Sequence, residues 1–186
     1  LMRKAFAEHD VPSADFLLIS SYEDAVPFVQ KHGFPLIVKQ IAGIHSKYVA
    51  RVQDEKQLQD TIKNFLEALS KESSLLYGQL RNFYTQVDVP NPLTRLLIEE
   101  CLTGEELTID AFIIDNCVFT TPICRYTMPE ELGFDDHHLP IRTMPYDLQP
   151  DEKQSILHTV EQSLRALGAN ACVTHSEVFF DRTSKK

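Results

Sequence analysis

The chain has 186 residues, of which 43% are hydrophobic, and this is enough for one globular domain of two lobes. Its formal net charge of −9 argues against a nucleic-acid partner, because binding to nucleic-acid phosphates requires a basic surface. No run approaches the ~20 apolar residues of a membrane span, and no signal peptide is visible, so we expect no membrane partner.

The four cysteines form no disulfide or metal-binding pattern. Their spacing contains neither a CxxC pair nor a Cys/His arrangement of a zinc site, so we expect small core side chains. Cysteines of this kind are typical of a reducing compartment, which predicts a cytoplasmic protein. The four residues are Cys101, Cys117, Cys124 and Cys172.

The first half of the chain predicts alternating helices and strands. Ser20, Ser21 and Asp54 are suited to N-caps, and Gly33 to a left-handed helix stop. Residues 71–94 show little periodicity. The predicted elements are a helix over 2–9, a strand from Asp15 to Ile19, a helix to about His32, a strand from Leu36 to Lys39, a strand from Tyr48 to Val52 that pairs with it, and a helix from Asp54 to about Leu69.

The second half predicts mainly strands. The predicted elements are a strand from Leu96 to Leu102, a hairpin of Glu106–Ile114 and Cys117–Cys124 across the turn Asp115-Asn116, an irregular segment over 126–150, a helix from Pro150 to Gly168 and a strand from Cys172 to Phe180. This order favours an α+β fold of two lobes, 1–94 and 95–186, with a ligand cleft between their sheets.

Lys39 stands at the end of a buried apolar strand, and Gly43 and Ser46 follow it in a loop. A lysine that leaves a dry strand costs free energy unless an anion is near. After a helix, the run Glu99-Glu100-Cys101-Leu102-Thr103-Gly104-Glu105-Glu106 ends a second strand in carboxylates. This combination resembles the ATP-grasp superfamily of carboxylate–amine ligases. The resemblance implies an ATP-grasp-like fold with a nucleotide cleft between two α+β lobes.

The same resemblance assigns the nucleotide contacts. Lys39 would reach the phosphates, and Gly43, Ser46 and Lys47 would cover them from the loop. The segment Glu99, Glu100, Cys101 and Leu102 would hold adenine, which in the family lies against apolar side chains and is read by main-chain groups. Glu106 would accept hydrogen bonds from the ribose hydroxyls. Gln40, His45 and Tyr48 depart from the family, which usually has proline and two glycines at these positions; His45 and Tyr48 restrict positive φ.

The family pattern also places a metal ligand. Glu177 matches the first magnesium-binding carboxylate, and magnesium prefers oxygen ligands that it shares with phosphates. Asp110 and Glu177 lie on predicted strands, with Phe112 and Phe179 two residues further along the same faces. The family's second carboxylate and its asparagine belong to a following strand, so the resemblance implies a fragment truncated at both ends, before Leu1 and after Lys186.

Arg125, Arg142 and His175 are the candidates for contact with the reacting groups. An arginine fork could hold a substrate carboxylate or the transferred phosphoryl group, although most arginines are surface residues. His175 would orient Glu177 or a substrate group, or would be a structural strand histidine. The adjacent pair His137-His138 is a weak metal candidate, because neighbouring residues rarely face one ligand.

By resemblance, the parent enzyme would use ATP and Mg2+ to activate a small-molecule carboxylate as an acyl phosphate, which an amine then attacks. The Thr-His-Ser-Glu segment that ends at Glu177 resembles amino-acid or dipeptide ligases more than biotin carboxylases. One alternative is a non-catalytic nucleotide-binding or regulatory module with a degenerate phosphate loop, and another is a purely structural α+β domain. We expect this chain to bind nucleotide weakly and to turn over little; its sequence does not indicate an oligomeric state.

Overall fold

The computed structural model describes residues 2–42, 47–72, 78, 90–134 and 141–183. The chain divides into two compact units, Ala14–Cys101 and a unit of Leu1–Ser13 with Leu102–Lys186. Each contains helices and an antiparallel sheet, which confirms the α+β class. In the described residues no helix has both the length and the apolar character needed to cross a membrane. The helices are α1 (Met2–Glu8), α2 (Tyr22–His32), α3 (Glu55–Ser70) and α4 (Pro150–Ala166).

The Ala14–Cys101 unit is built on a four-stranded antiparallel sheet. Its strands are β1 (Phe16–Ile19), β2 (Leu36–Gln40), β3 (Val49–Val52) and β4 (Leu96–Glu100). Their order in the sheet is β1-β4-β2-β3. The predicted pairing of β2 with β3 is confirmed, with Leu36 opposite Val52 and Lys39 opposite Val49.

Helices α2 and α3 begin and end where the sequence predicts. The Ser21 hydroxyl accepts a hydrogen bond from the Asp24 N–H at 3.3 Å, and Asp54 Oδ1 accepts one from the Gln57 N–H at 2.8 Å. Gly33, at φ 69°, ends α2. Apolar side chains of both helices pack on one face of the sheet, and the buried members of this core include Ala25, Phe28, Leu36, Val38, Leu58, Ile62, Leu69, Leu96 and Ile98.

The position of β4 differs from the predicted lobe boundary after residue 94. This strand pairs with β1 and β2, so it belongs to the Ala14–Cys101 unit. The reason is its burial: Leu96 and Ile98 point into the core under α2 and α3, which shields them completely from solvent. The strand ends at Glu100, two residues before its predicted end. Chain order alone does not reveal such a distant strand partner.

The second unit contains a five-stranded sheet in which β5 is central. Its strands are β5 (Glu105–Ile114), β6 (Cys117–Thr120), β7 (Cys124–Thr127), β8 (Ile141–Thr143) and β9 (Cys172–Phe180). Strands β6 and β7 pair in succession with one edge of β5, β8 pairs with β7, and β9 pairs with β5 along its other edge. Helix α4 packs on one face through Ile156, Val160 and Leu164.

In the second unit the structure confirms one prediction and corrects two. The turn Asp115-Asn116 is confirmed, with φ of 49° and 62°, as a two-residue hairpin requires. However, the single predicted strand Cys117–Cys124 is two strands, because Pro122 lacks an N–H and interrupts the ladder. The predicted irregular segment 126–150 contains β8 and a 3-10 helix, Pro129–Leu132.

Candidate functional site

Lys39 forms an ion pair on the sheet face of the Ala14–Cys101 unit that lies opposite α2 and α3. Its Nζ is 2.6 Å from Glu99 Oε2, and the Glu99 side chain is only 5% exposed. Lys39 pairs with Leu97 across the ladder and Ile37 with Glu99, so all four residues share this face. The structure therefore brings together two predicted nucleotide residues, Lys39 and Glu99. The sequence did not reveal that Glu99 is the anion near Lys39.

The two ends of the predicted phosphate loop are held together by Gln40. Its buried side chain donates from Nε2 to the Lys47 carbonyl at 2.6 Å, and its backbone N–H donates to the Tyr48 carbonyl at 3.0 Å. The residue that replaces the family's proline thus anchors the loop, a role the sequence analysis missed. Gly43 and Ser46, with His45, lie outside the described residues.

Tyr48 and Lys47 adopt positions that bear on phosphate binding. Tyr48 has φ 55°, so it enters the left-handed region that the sequence analysis expected its side chain to restrict. Lys47 Nζ is 2.5 Å from Glu72 Oε2. This hydrogen bond raises the pKa of the Lys47 ammonium. A phosphate that binds at Lys47 would therefore compete with the Glu72 carboxylate for the lysine ammonium.

Glu100 points to the other face of the sheet from Glu99. Its Oε1 accepts a hydrogen bond from the Asp15 N–H at 2.9 Å, and its Oε2 is 3.8 Å from His32 Nδ1. The Glu100 N–H in turn donates to the Asp15 carbonyl at 3.2 Å. The Glu100 side chain is therefore engaged within its own unit. Beyond the strand, Cys101 is partly buried and Leu102 is exposed.

The second unit carries charged residues on one face of β5 and β9, which we call the front face. Paired residues point to the same side of a sheet, so the ladder register defines this face. Glu106 lies opposite Phe179, Thr108 opposite Glu177, Asp110 opposite His175 and Phe112 opposite Val173. The intervening residues of β5, from Leu107 to Ile113, are buried under α4 on the back face. Strand alternation thus presents Glu106 and Glu177 on one surface, as their predicted roles require.

Glu106 is partly buried, and its carboxylate faces other negative charges. Burial, then the charge of Glu177, then that of Glu131 raise the pKa of the Glu106 carboxyl. A carboxylate held against like charge is a candidate for binding a cation or hydrogen-bond donors.

Asp110 and His175 form a close pair next to Glu177. His175 Nδ1 is 2.6 Å from Asp110 Oδ1, and His175 Nε2 is 3.8 Å from Glu177 Oε1. The carboxylate therefore fixes the orientation of the imidazole and directs its second nitrogen towards Glu177. In the described part of the chain, no group of three or more His, Cys, Asp or Glu residues is arranged to hold a metal ion.

Arg125 and Arg142 are on opposite faces of the sheet. Arg125 lies opposite Leu107 in the ladder and therefore on the back face, away from Glu106 and Glu177. Arg142 lies opposite Tyr126, with its guanidinium carbon 4.9 Å from the centre of the tyrosine ring. Register places this pair on the front face. Of the two candidate arginines, only Arg142 shares a face with the candidate metal ligand.

The comparisons with known proteins agree with this geometry. Residues 32–185 match the family described as the ATP-grasp domain. The chain belongs to the ATP-grasp family. This confirms the resemblance inferred from Lys39 and the Glu99–Glu106 run. The sequence has no match among curated proteins.

Solved structures support the ATP-grasp fold. The chain is similar to L-amino acid ligase from Bacillus licheniformis, with TM-score 0.71 and 20% identity over 98% of this chain and 39% of that one. It is similar to VanG D-Ala:D-Ser ligase from Enterococcus faecalis, with TM-score 0.70 and 14% identity over 98% and 48%. It also resembles N5-carboxyaminoimidazole ribonucleotide synthetase in its ADP complex, with TM-score 0.67 and 10% identity over 97% and 40%. The chain thus spans less than half of these proteins.

A back-face network beside Glu106 was missed by the ATP-grasp pattern. Glu105 accepts hydrogen bonds from Arg182 Nε at 2.8 Å and from the Tyr146 hydroxyl at 2.7 Å, and its Oε1 is 3.9 Å from Arg125 Nε. Arg125 also pairs with Glu131 at 3.2 Å. The alternation of side chains along a strand predicts that Glu105 and Glu106 point to opposite faces of the sheet. No pattern in the neighbouring sequence indicates the partners of Glu105, which are 41 and 77 residues away.

The neighbouring residues Glu105 and Glu106 should affect stability in opposite directions. Burial raises the pKa of Glu105, but hydrogen bonds from Arg182 and Tyr146 and the charges of Arg182 and Arg125 outweigh it and lower that pKa below 4.5. We therefore expect Glu105→Gln to lower the free energy of unfolding at neutral pH by about 1 kcal/mol. Glu106→Gln should raise it by a smaller amount, because it removes a partly buried charge and its repulsion by Glu177.

The pKa of Glu105 is lowered and that of Glu106 is raised, so their contributions to stability depend differently on pH. The contribution of Glu105 is present above its ordinary pKa and is lost as pH falls through its lowered pKa. The penalty at Glu106 appears as pH rises from its ordinary pKa through its raised pKa, so it is absent in acid. Urea denaturation of the wild type and both variants from neutral pH to about pH 3 tests this. A stabilised Glu105→Gln variant at neutral pH would contradict the assignment.

Proposed function

We propose that this chain is the ATP- and Mg2+-binding part of an ATP-grasp ligase that joins a carboxylate to an amine. The observation that carries the proposal is the front face of β5 and β9, where Glu106 and Glu177 point to the same side of the sheet, and where burial and then the charge of Glu177 raise the pKa of the Glu106 carboxyl. Bound Mg2+ and ribose hydroxyls would relieve this repulsion. Lys39 supports the proposal independently, because it places an ammonium with three N–H donors near the end of β2, where a phosphate would share it with Glu99.

Each proposed role follows from the chemistry of the residue. The Lys39 ammonium would donate to phosphate oxygens, with Glu99 holding it in place. The main chain from Glu99 to Leu102 would read adenine, and Glu106 would accept from two neighbouring ribose hydroxyls. Glu177 would bind Mg2+.

The residues present fit a magnesium ion that is shared with phosphate. Mg2+ usually keeps several water ligands and binds through one or two carboxylates plus substrate phosphates, so it does not require three protein ligands. Glu177 is 58% exposed, and its carboxylate is accessible on the front face. When bound, Mg2+ would neutralise charge on the transferred phosphoryl group.

The proposed ligase reaction has two steps. A carboxylate oxygen attacks the γ-phosphorus of ATP, the bond from phosphorus to the β,γ-bridging oxygen breaks, and ADP leaves. The amine nitrogen then attacks the acyl carbon, the carbon–oxygen bond to phosphate breaks, and inorganic phosphate and a proton are released. The names of the similar proteins support this class, since two are amino-acid ligases and one was solved with ADP.

The reducing, cytoplasmic setting stays a prediction.

A second candidate is a nucleotide-binding or regulatory module without catalysis. The Lys47 ion pair with Glu72 favours it, because the carboxylate would compete with phosphates for the Lys47 ammonium. Formation of ADP and phosphate by the parent protein, with a carboxylate and an amine, would separate a ligase from such a module.

Binding of nucleotide to the chain tests the proposed site. We expect ATP with Mg2+ to raise the melting temperature, since a ligand of the folded state stabilises it. Glu106→Ala should weaken ATP binding about tenfold in calorimetry, because a hydrogen bond to a charged group is lost. Glu161→Ala, on the exposed side of α4, is the control and should bind normally. Unchanged affinity in Glu106→Ala would remove the ribose assignment.

A further inference from the structure

The front face of the second unit ends in an exposed apolar patch. The patch consists of Phe112, Ile114, Phe119 and Val173, which are 47%, 59%, 58% and 66% exposed. Phe112 lies between Phe119 of β6 and Val173 of β9 in the ladder, so the four side chains are continuous across three strands. Most exposed apolar residues occur singly, and a continuous patch marks a binding surface more often than an isolated residue does.

The patch continues directly from the charged part of the front face. Two residues along a strand span about 6.8 Å. In steps of this size the face runs from Thr108 with Glu177, through Asp110 with His175, to Phe112 with Val173. A carboxylate that could bind metal, a second carboxylate and an apolar surface therefore follow one another in a line of about 14 Å.

This order matches the groups of one kind of small molecule. A substrate carboxylate must lie near the phosphoryl group and its metal, which places it at Glu177. Beside it, Asp110 is negative, and with Oδ1 held by His175 its other oxygen can accept from a cation. Beyond both lies the apolar patch. A carboxylate, an ammonium and an apolar side chain on one carbon atom are the groups of an α-amino acid.

We propose that the patch binds the side chain of an aromatic or branched apolar α-amino acid, with its ammonium at Asp110 and its carboxylate towards Glu177. The proposal rests on the ligase function above and specifies its substrate class. An apolar acid without an ammonium would make no charged hydrogen bond to the second oxygen of Asp110. A small or charged amino acid would gain nothing from Phe112 and Phe119.

The test is an NMR titration of the whole chain, with ATP and Mg2+ present, using L-phenylalanine, glycine and 3-phenylpropanoate. We expect L-phenylalanine to bind at least about tenfold more tightly than the other two. Phe112→Ala should weaken L-phenylalanine about tenfold and leave glycine unchanged. Asp110→Asn should reduce the preference for L-phenylalanine over 3-phenylpropanoate.

Ile141→Ala is the matched control, because Ile141 is 45% exposed in the same sheet but lies on its back face, opposite Thr127. It should leave all three affinities unchanged. Equal binding of glycine and L-phenylalanine, or an unaffected Phe112→Ala variant, would overturn the proposal while the nucleotide site stands. Absence of ATP binding would instead overturn the proposed function itself. Asp110, Phe112 and Ile141 are all exposed, so the variants should fold.

Discussion

Lys39→Met is expected to lower the free energy of unfolding by about 2–3 kcal/mol at neutral pH, as measured by urea denaturation. The substitution removes the ammonium that lies 2.6 Å from Glu99 Oε2. The Glu99 side chain is only 5% exposed, so water can do little to replace that ammonium. A buried charge that loses its counterion keeps its desolvation cost, which for fully buried pairs amounts to about 3–5 kcal/mol. The lower value expected here reflects the 28% exposure of the Lys39 side chain.

Two controls separate burial from the ion pair itself. Lys71 and Glu67 are also 2.6 Å apart, but their side chains are 70% and 55% exposed. Lys71→Met should therefore lower the free energy of unfolding far less than Lys39→Met does, because solvent screens an exposed pair. Adding Glu99→Gln to Lys39→Met also removes the buried negative charge and should restore at least half of the lost stability. If Lys39→Met and Lys71→Met cost the same, burial does not govern the Lys39 pair.

The same substitution bears on the proposed function. If Lys39 donates to nucleotide phosphates, the loss of a charged hydrogen bond should weaken ATP binding by about ten- to a hundredfold. The double variant recovers stability but not the cation, so its ATP affinity should stay low. Recovery of affinity with stability would show that Lys39 acts only through folding.

Elements set by local patterns could be predicted from the sequence. Helix α3 follows from the spacing of Leu58 and Ile62 and from the cap at Asp54, all within one short segment. The hairpin of β5 and β6 follows from the turn Asp115-Asn116. Such features depend on residues only a few positions away, so a short stretch of sequence is enough to predict them.

Elements set by distant partners could not be predicted in this way. Strand β4 joins β1 and β2, which precede it by about 60 to 80 residues, and no periodicity within β4 distinguishes these partners. The family pattern supplied Glu99 and Lys47 as nucleotide residues. Their partners in the folded chain, Lys39 and Glu72, emerge only when the strands and helices are packed.

Gly104→Ala is expected to destabilise the second unit by at least about 3 kcal/mol. Gly104 has φ 123°, a conformation that residues with a side chain rarely adopt. An added Cβ would also lie 2.7 Å from the Phe180 carbonyl oxygen and 3.0 Å from the Asp181 nitrogen. Both are backbone atoms at the end of β9, so the clash can be relieved only by moving a strand.

Gly168→Ala separates the clash from the backbone strain. Gly168 has φ 64°, but a Cβ there would meet nothing within 4 Å, so only the cost of the left-handed conformation applies, about 1 kcal/mol. A larger loss in Gly104→Ala than in Gly168→Ala, measured by chemical denaturation, is the expected result; equal losses would contradict it. Because Glu105 lies opposite Phe180, the same displacement would shift the start of β5 and the adjacent Glu106. We therefore expect any ATP binding that depends on Glu106 to fall in Gly104→Ala and to persist in Gly168→Ala.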